Sequence, residues 1–221
     1  MSGTEPEPSA EPAIAEAVAA VGRGALIVLP TDTVYGIGTR PDDPAATGLL
    51  FAAKERPGDL TLPVLVPDVG AARSVGRLDE RAERLAVACW PGPVTLVVPR
   101  SSASAGWDLG GDRDTVGLRV PADPLALALL AATGPLAVTS ANRSGDPPAR
   151  TCDELVAAFG DQVAVYLCQD EPLEGASSTV VDLAHGEAVV LREGRLGGDE
   201  VRRLLEEEGD PSFPGASPED R

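Results

Sequence analysis

The sequence predicts a single α/β domain with a mixed, largely buried β-sheet flanked by helices. Three observations carry this expectation. Short apolar runs that end in proline or polar residues alternate with longer segments of helical character. At 221 residues the chain is long enough for one ordinary hydrophobic core. Its hydrophobic fraction is 43% and its aromatic fraction 3%, so the core must be built of Ala, Val and Leu, which suits a sheet covered by helices.

The elements follow in order. Residues 1–12, MSGTEPEPSAEP, are polar and proline-rich and are expected to be a disordered lead-in; residues 209–221 have the same character and read as an acidic tail, leaving one domain over 13–208. Residues 13–22 suit a helix. ALIVLP (25–30) reads as a buried strand, and PAATGLLFAAK (44–54) as a helix with proline in its first turn. LPVLVP (62–67) is a strand and DERAERLAVACW (79–90) an amphipathic helix whose leading acids suit an N-terminus. VTLVVP (94–99) and TVGLRV (115–120) are strands. Asp123 caps a helix with Pro124 in its first turn, and PLAVTS (135–140) is a strand. TCDE (151–154) is a capping box that opens a helix through Phe159. QVAVYL, STVVDL and EAVVL are further strands before a last helix near 198–208.

The net charge of −17 argues against a face that binds nucleic-acid backbones broadly, though it leaves room for a small basic pocket. The cysteines are Cys89, Cys152 and Cys168. Their odd number and the lack of a C-x-x-C spacing lead us to expect free thiols in a reducing cytoplasm. A basic-then-apolar leader is missing and the apolar runs are far below the ~18 residues of a membrane span, so a cytoplasmic location is expected. His185 is the only histidine and falls in AHGE, a surface turn between two strands, which disfavours a Ser-His-Asp triad or a multi-histidine metal site. Phosphate-binding and dinucleotide-binding glycine signatures are missing as well.

Polar chemistry instead gathers at strand ends, in PTDTVYGIG, KER, TSANRSG, SSTVVD and LREG. Alternation along DTVGLRV puts Thr115, Gly117 and Arg119 on one face. A buried Arg119 needs an anionic partner, which could be Asp32 or another acid, or a ligand carboxylate. Thr31, Thr33 and Tyr35 share a face if their stretch stays extended. Lys54 is the only lysine among eighteen basic residues. At a helix end it could serve the helix dipole; with Arg56 it could equally reach phosphate oxygens.

Together these blocks resemble the YrdC-like family of threonylcarbamoyl-adenylate synthases, in its short, single-domain type. The matching pieces, in family order, are PTDTVYGIG (30–38), KERP (54–57), WPGPVTLVV (90–98), TVGLRVP (115–121), SAN (140–142), SSTVVD (177–182) and LREG (191–194). The resemblance implies a twisted sheet with a concave ligand site. It implies an enzyme, a nucleotidyltransferase that condenses L-threonine, bicarbonate and ATP with Mg²⁺ to threonylcarbamoyl-adenylate and pyrophosphate. A partner complex then transfers the threonylcarbamoyl group to tRNA. Carried onto this chain, Lys54 and Arg56 would be catalytic, and with Thr115, Ser140, Asn142 and Arg192 would surround the nucleotide. Thr33, Arg119 and Ser178 would hold threonine. The other reading is a divergent paralogue that binds RNA or a nucleotide without synthase activity. The chain departs from the family pattern at Leu60 and Thr61, at Asp146, at Cys168, Gln169 and Asp170, and at Glu193.

Overall fold

A computed structural model describes residues 10–55, 61–143, 145–173 and 175–206. The chain opens with α1 (Ala10–Gly22), β1 (Leu26–Leu29), β2 (Gly36–Thr39), α2 (Pro44–Ala53), β3 (Val64–Leu65), α3 (Val69–Val75) and α4 (Glu80–Cys89). It continues through β4 (Val94–Pro99), β5 (Thr115–Arg119), α5 (Pro124–Thr133), β6 (Leu136–Ser140) and α6 (Cys152–Phe159). It closes with β7 (Val163–Tyr166), β8 (Thr179–Asp182), β9 (Val189–Arg192) and α7 (Gly198–Glu206). The first helix starts at Ala10, inside the expected lead-in. The tail over 209–221 lies outside the described residues.

Each of five helices starts on an acid or hydroxyl that accepts a backbone N–H two or three residues on: Asp43, Asp68, Asp79, Asp123 and Thr151. Such a cap is worth about 1 kcal/mol. The capping box at α6 is displaced by one residue. Thr151 accepts from the Glu154 N–H as expected, but the Glu154 carboxylate accepts from the N–H of Arg150 at 2.6 Å.

Nine strands form one mixed sheet in the order β7-β1-β2-β6-β3-β5-β4-β8-β9. The pairs β1–β7, β3–β5 and β4–β8 are parallel, and the rest are antiparallel. Two elements were not foreseen. The β2 strand, GIGT, has little intrinsic strand character and exists because β1 and β6 pair with it on both sides. The other is the seven-residue α3.

Strand alternation divides the core in two. Val94, Leu96, Val98, Val116, Leu118 and Val181 pack with residues of α2, α4, α6 and α7 on one face. On the other face α1 and α5 cover Ile27, Leu29, Leu65, Leu136, Val138 and Val165, which belong to the β7-β1-β6-β3 side of the sheet. Over β5, β4 and β8 this second face carries Thr115, Gly117, Arg119, Thr95, Val97, Val180 and Asp182, and it forms the wall of a cavity.

The cysteine expectation is corrected. Cys152 and Cys168 form a disulfide with their Cα atoms 5.7 Å apart, and Cys89 alone is free. A spacing of sixteen residues gave no signal in the sequence. The fold supplies the proximity, because the parallel β1–β7 pairing and α6 bring the first turn of the helix beside the loop that follows β7. Burial, followed by the Glu200 charge, pushes the Cys89 thiol up to about 11. Among the described residues no helix is long and apolar enough to cross a membrane.

Candidate active site

The cavity has a volume of about 440 Å³, within the range of small-molecule sites. Its floor is strand rather than loop. Thr115, Gly117 and Arg119 of β5 all face it, as alternation predicts. The segment between β1 and β2 arches over one end and contributes Thr31, Thr33 and Tyr35. Just past the arch, at the start of β2, a Cβ at Gly36 would lie 2.5 Å from Val138 Cγ1 of β6, so glycine lets the two strands pack there.

At this end the Arg119 guanidinium is fixed by three protein groups. Its Nε donates to the Gly92 carbonyl at 2.9 Å, Nη1 to Thr33 Oγ1 at 2.9 Å and Nη2 to Asp32 Oδ1 at 2.6 Å. Asp32 is therefore the acidic partner that the sequence left open, and Oδ1 also accepts the Ala122 N–H at 2.8 Å. Burial pulls the Arg119 pKa below its ordinary value, and the Asp32 charge pulls it back. Three of the five guanidinium N–H groups are used, which leaves two for a ligand. Thr31 Oγ1 and Thr33 Oγ1 are 2.9 Å apart, so the hydroxyls form a chain leading to Arg119.

At the other end Lys54 caps α2, yet its side chain does not serve the helix. It is 3% exposed, and Nζ donates to the Ser140 carbonyl at 2.6 Å and to Asn142 Oδ1 at 3.2 Å. Ser140 ends β6 and Asn142 follows it, 86 and 88 positions further along the chain. Asn142 is oriented in turn by Nδ2, which donates to the carbonyls of Arg143 and Asp146. Ser140 lines the cavity, and Lys54 and Asn142 stand directly behind it. Arg56 and Leu60 lie outside the described residues.

The third side is built by β8 and the end of β9. Arg192 donates to the Ser178 carbonyl at 2.9 Å and to Ser178 Oγ at 3.2 Å, and Ser178 Oγ lies 2.9 Å from Thr95 Oγ1. Burial lowers the Arg192 pKa. Glu193, a departure that threatened this arginine, points away from it; its Oε1 lies against Gly198 at the start of α7. Gln169, another departure, is tied in. Its N–H donates to Tyr35 Oη at 3.0 Å and its Nε2 to Asp123 Oδ2 at 2.8 Å.

The structure thus brings Thr33, Thr115, Arg119, Ser140, Ser178 and Arg192 to one cavity, with Lys54 and Asn142 at its edge. Sequence reasoning missed Thr95, although its alternation with Val97 on β4 would have found it. It also undervalued His185. The residue does sit in an exposed turn, but it reaches the rim of the cavity, with Nδ1 at 2.8 Å from Asp182 Oδ2 and Nε2 at 3.3 Å from Asp112 Oδ2. Asp112 also accepts from Thr115 Oγ1 at 3.0 Å. A neutral imidazole has one N–H, so a ring between two carboxylates favours the imidazolium. The hydrogen bond to Asp182 raises its pKa accordingly. Among the described residues no group of three or more His, Cys, Asp and Glu side chains could hold a metal.

The α/β fold leaves one sheet face open, and that face presents hydroxyls and two arginines, with Lys54 behind Ser140; this is the chemistry of a site for small anionic molecules. The family described as Sua5_yciO_yrdC, telomere recombination, matches residues 19–194, and the chain belongs to that family. A relative from Mycobacterium tuberculosis (strain ATCC 25618 / H37Rv) is 41% identical over 193 residues, which cover 87% of this chain and 88% of that protein. A Chromohalobacter salexigens protein named threonylcarbamoyl-AMP synthase is 38% identical over 180 residues, 80% of this chain and 95% of its own. The crystal structure of P. abyssi Sua5 complexed with L-threonine superposes with a TM-score of 0.79 at 33% identity, covering 88% of this chain. The present chain spans 57% of the length of that protein.

Proposed function

We propose that this chain is an L-threonylcarbamoyladenylate synthase, a nucleotidyltransferase that converts L-threonine, bicarbonate and ATP to threonylcarbamoyl-AMP, pyrophosphate and water. The observation that carries this reading is one cavity with a hydroxyl–arginine end at Thr33 and Arg119 and, at its other end, Ser140, backed by Lys54 and Asn142.

The threonine amine attacks the carbon of bicarbonate, water leaves, and a carbamate forms. A carbamate oxygen then attacks the α-phosphorus of ATP and pyrophosphate departs. The carbamate is already a nucleophile, so the chain must chiefly align reactants and stabilise charge. Arg119 takes the threonine carboxylate on its two unused N–H groups. Thr33 and Ser178 supply hydroxyls, and Pro63, Val97 and Val180 offer apolar surface to the methyl group. Lys54 and Arg56, with Ser140, Asn142, Thr115 and Arg192, hold the nucleotide, which arrives as MgATP. The mixed anhydride passes to a complex that modifies tRNA, in the cytoplasm.

The test is pyrophosphate release by the purified chain with MgATP. Release that needs both L-threonine and bicarbonate supports the synthase. ATP binding with no threonine-dependent release would instead favour the divergent paralogue.

A further inference from the structure

We infer that Arg195 is a positioning residue for the threonine end of the cleft: it holds Asp32 so that Asp32 can hold Arg119. The inference rests on the function proposed above. Arg195 belongs to none of the sequence blocks that carry the family resemblance; it follows β9 by three residues. The segment that presents it is clamped. The Arg195 N–H donates to the Ser177 carbonyl at 2.9 Å. At Gly194 a Cβ would lie 2.1 Å from the same carbonyl oxygen, so only glycine permits this approach.

From that base the side chain crosses to the arch between β1 and β2, where Nη1 donates to the Asp32 carbonyl. Asp32 is thereby held on its backbone by Arg195 and on its carboxylate by Arg119 and the Ala122 N–H. These contacts limit how far the arch can move, and the arch carries Thr33. The contact joins two segments 163 residues apart in the chain, one on each side of the cavity mouth.

Charge supports the same assignment. Burial lowers the Arg119 pKa first, and the Arg192 and Arg195 charges lower it further, so the three guanidiniums share one field. Asp32 pairs with Arg119, whereas among the described residues neither Arg192 nor Arg195 has a carboxylate partner. In a chain with net charge −17 this local surplus of cations fits the negative charge of a bound substrate.

The experiment compares wild type, Arg195→Ala and Arg195→Lys by steady-state kinetics, with calorimetric titration of L-threonine and of ATP. We expect Arg195→Ala to raise the threonine KM by about tenfold, the scale of one charge-assisted hydrogen bond. The ATP KM should stay put, kcat should fall less than the threonine KM rises, and lysine should restore most of the loss. An unchanged threonine KM, or equal loss toward both substrates together with a lower melting temperature, overturns the inference. Wild type that binds neither substrate would overturn the proposed function and this inference with it; wild type and Arg195→Ala binding threonine equally would overturn the inference alone.

Discussion

Arg100 and Arg119 are both buried, 6% and 5% exposed, at opposite ends of the paired strands β4 and β5. Their surroundings differ. Arg100 donates only to carbonyls, those of Thr115, Trp107, Ser104 and Asp112, and so fastens the loop that joins the two strands. Arg119 donates to one carbonyl, one hydroxyl and one carboxylate, and it faces the cavity. Burial lowers the pKa of both. The difference teaches that burial alone does not mark a functional cation. A guanidinium wrapped in carbonyls is a fastener, whereas one with a formal counter-charge and free N–H groups at a cavity can share itself with a ligand.

Replacing each cation tests that distinction. Arg119→Leu removes a buried cation and leaves the half-buried Asp32 carboxylate without its charge partner, and should cost ~3 kcal/mol or more of stability, read by denaturant unfolding. It should also weaken threonine binding more than ATP binding. Equal weakening of both would make Arg119 a fastener too. Next in size, reducing the Cys152–Cys168 bridge should remove ~3 kcal/mol, the usual contribution of a loop of this length, and lower the melting temperature in dithiothreitol. That change acts on α6 and the loop after β7, so Cys152→Ser should reproduce it, and Arg100 and Arg119 should both keep their contacts. Lys54, the third buried cation, pairs with a carbonyl and an amide but reaches the cavity edge. Lys54→Met should cut turnover ~10²-fold, which is about 2.7 kcal/mol. A near-normal rate would move it to the Arg100 class.

The last two effects are smaller. Arg100→Leu strands buried carbonyls and should cost ~1–3 kcal/mol while leaving the ratio of threonine to ATP affinity untouched. A change in that ratio would collapse the comparison. The exposed His185 gives the mildest signal. Because its pKa is raised, chiefly by Asp182, its contribution is complete below the ordinary histidine value of ~6.5 and is lost as pH rises through the raised value. In an NMR titration Asp112→Asn should lower the midpoint of the imidazole; an unmoved midpoint would remove Asp112 from the rim contact.

Much of this was legible in the sequence because strands and helices leave periodic marks. The alternation of Thr115, Gly117 and Arg119, the caps at Asp123 and Thr151, and the mixed α/β pattern are local properties, and local physics keeps them. The setting of Lys54 was half legible. Its rarity and its helix-end position could be seen, but its partners at Ser140 and Asn142 lie more than eighty residues away and depend on β2 pairing with β6. The Cys152–Cys168 bridge, the turn of Glu193 toward α7 and the reach of Arg195 to Asp32 are likewise products of topology. β2 escaped because GIGT has almost no side-chain pattern to read.

The layer of α1 and α5 stops short of β5, and this has a consequence for how the protein tolerates change. Its floor residues are every second residue of continuous strands, so they are tied to reading frame in space. Inserting one residue between Thr115 and Gly117 would exchange the two faces of β5 beyond that point. Arg119 would turn into the packed side beside Leu96 and Val94, while Leu118 would take its place in the cleft. Substitutions can tune such a floor one side chain at a time, but length changes are confined to the loops at its ends.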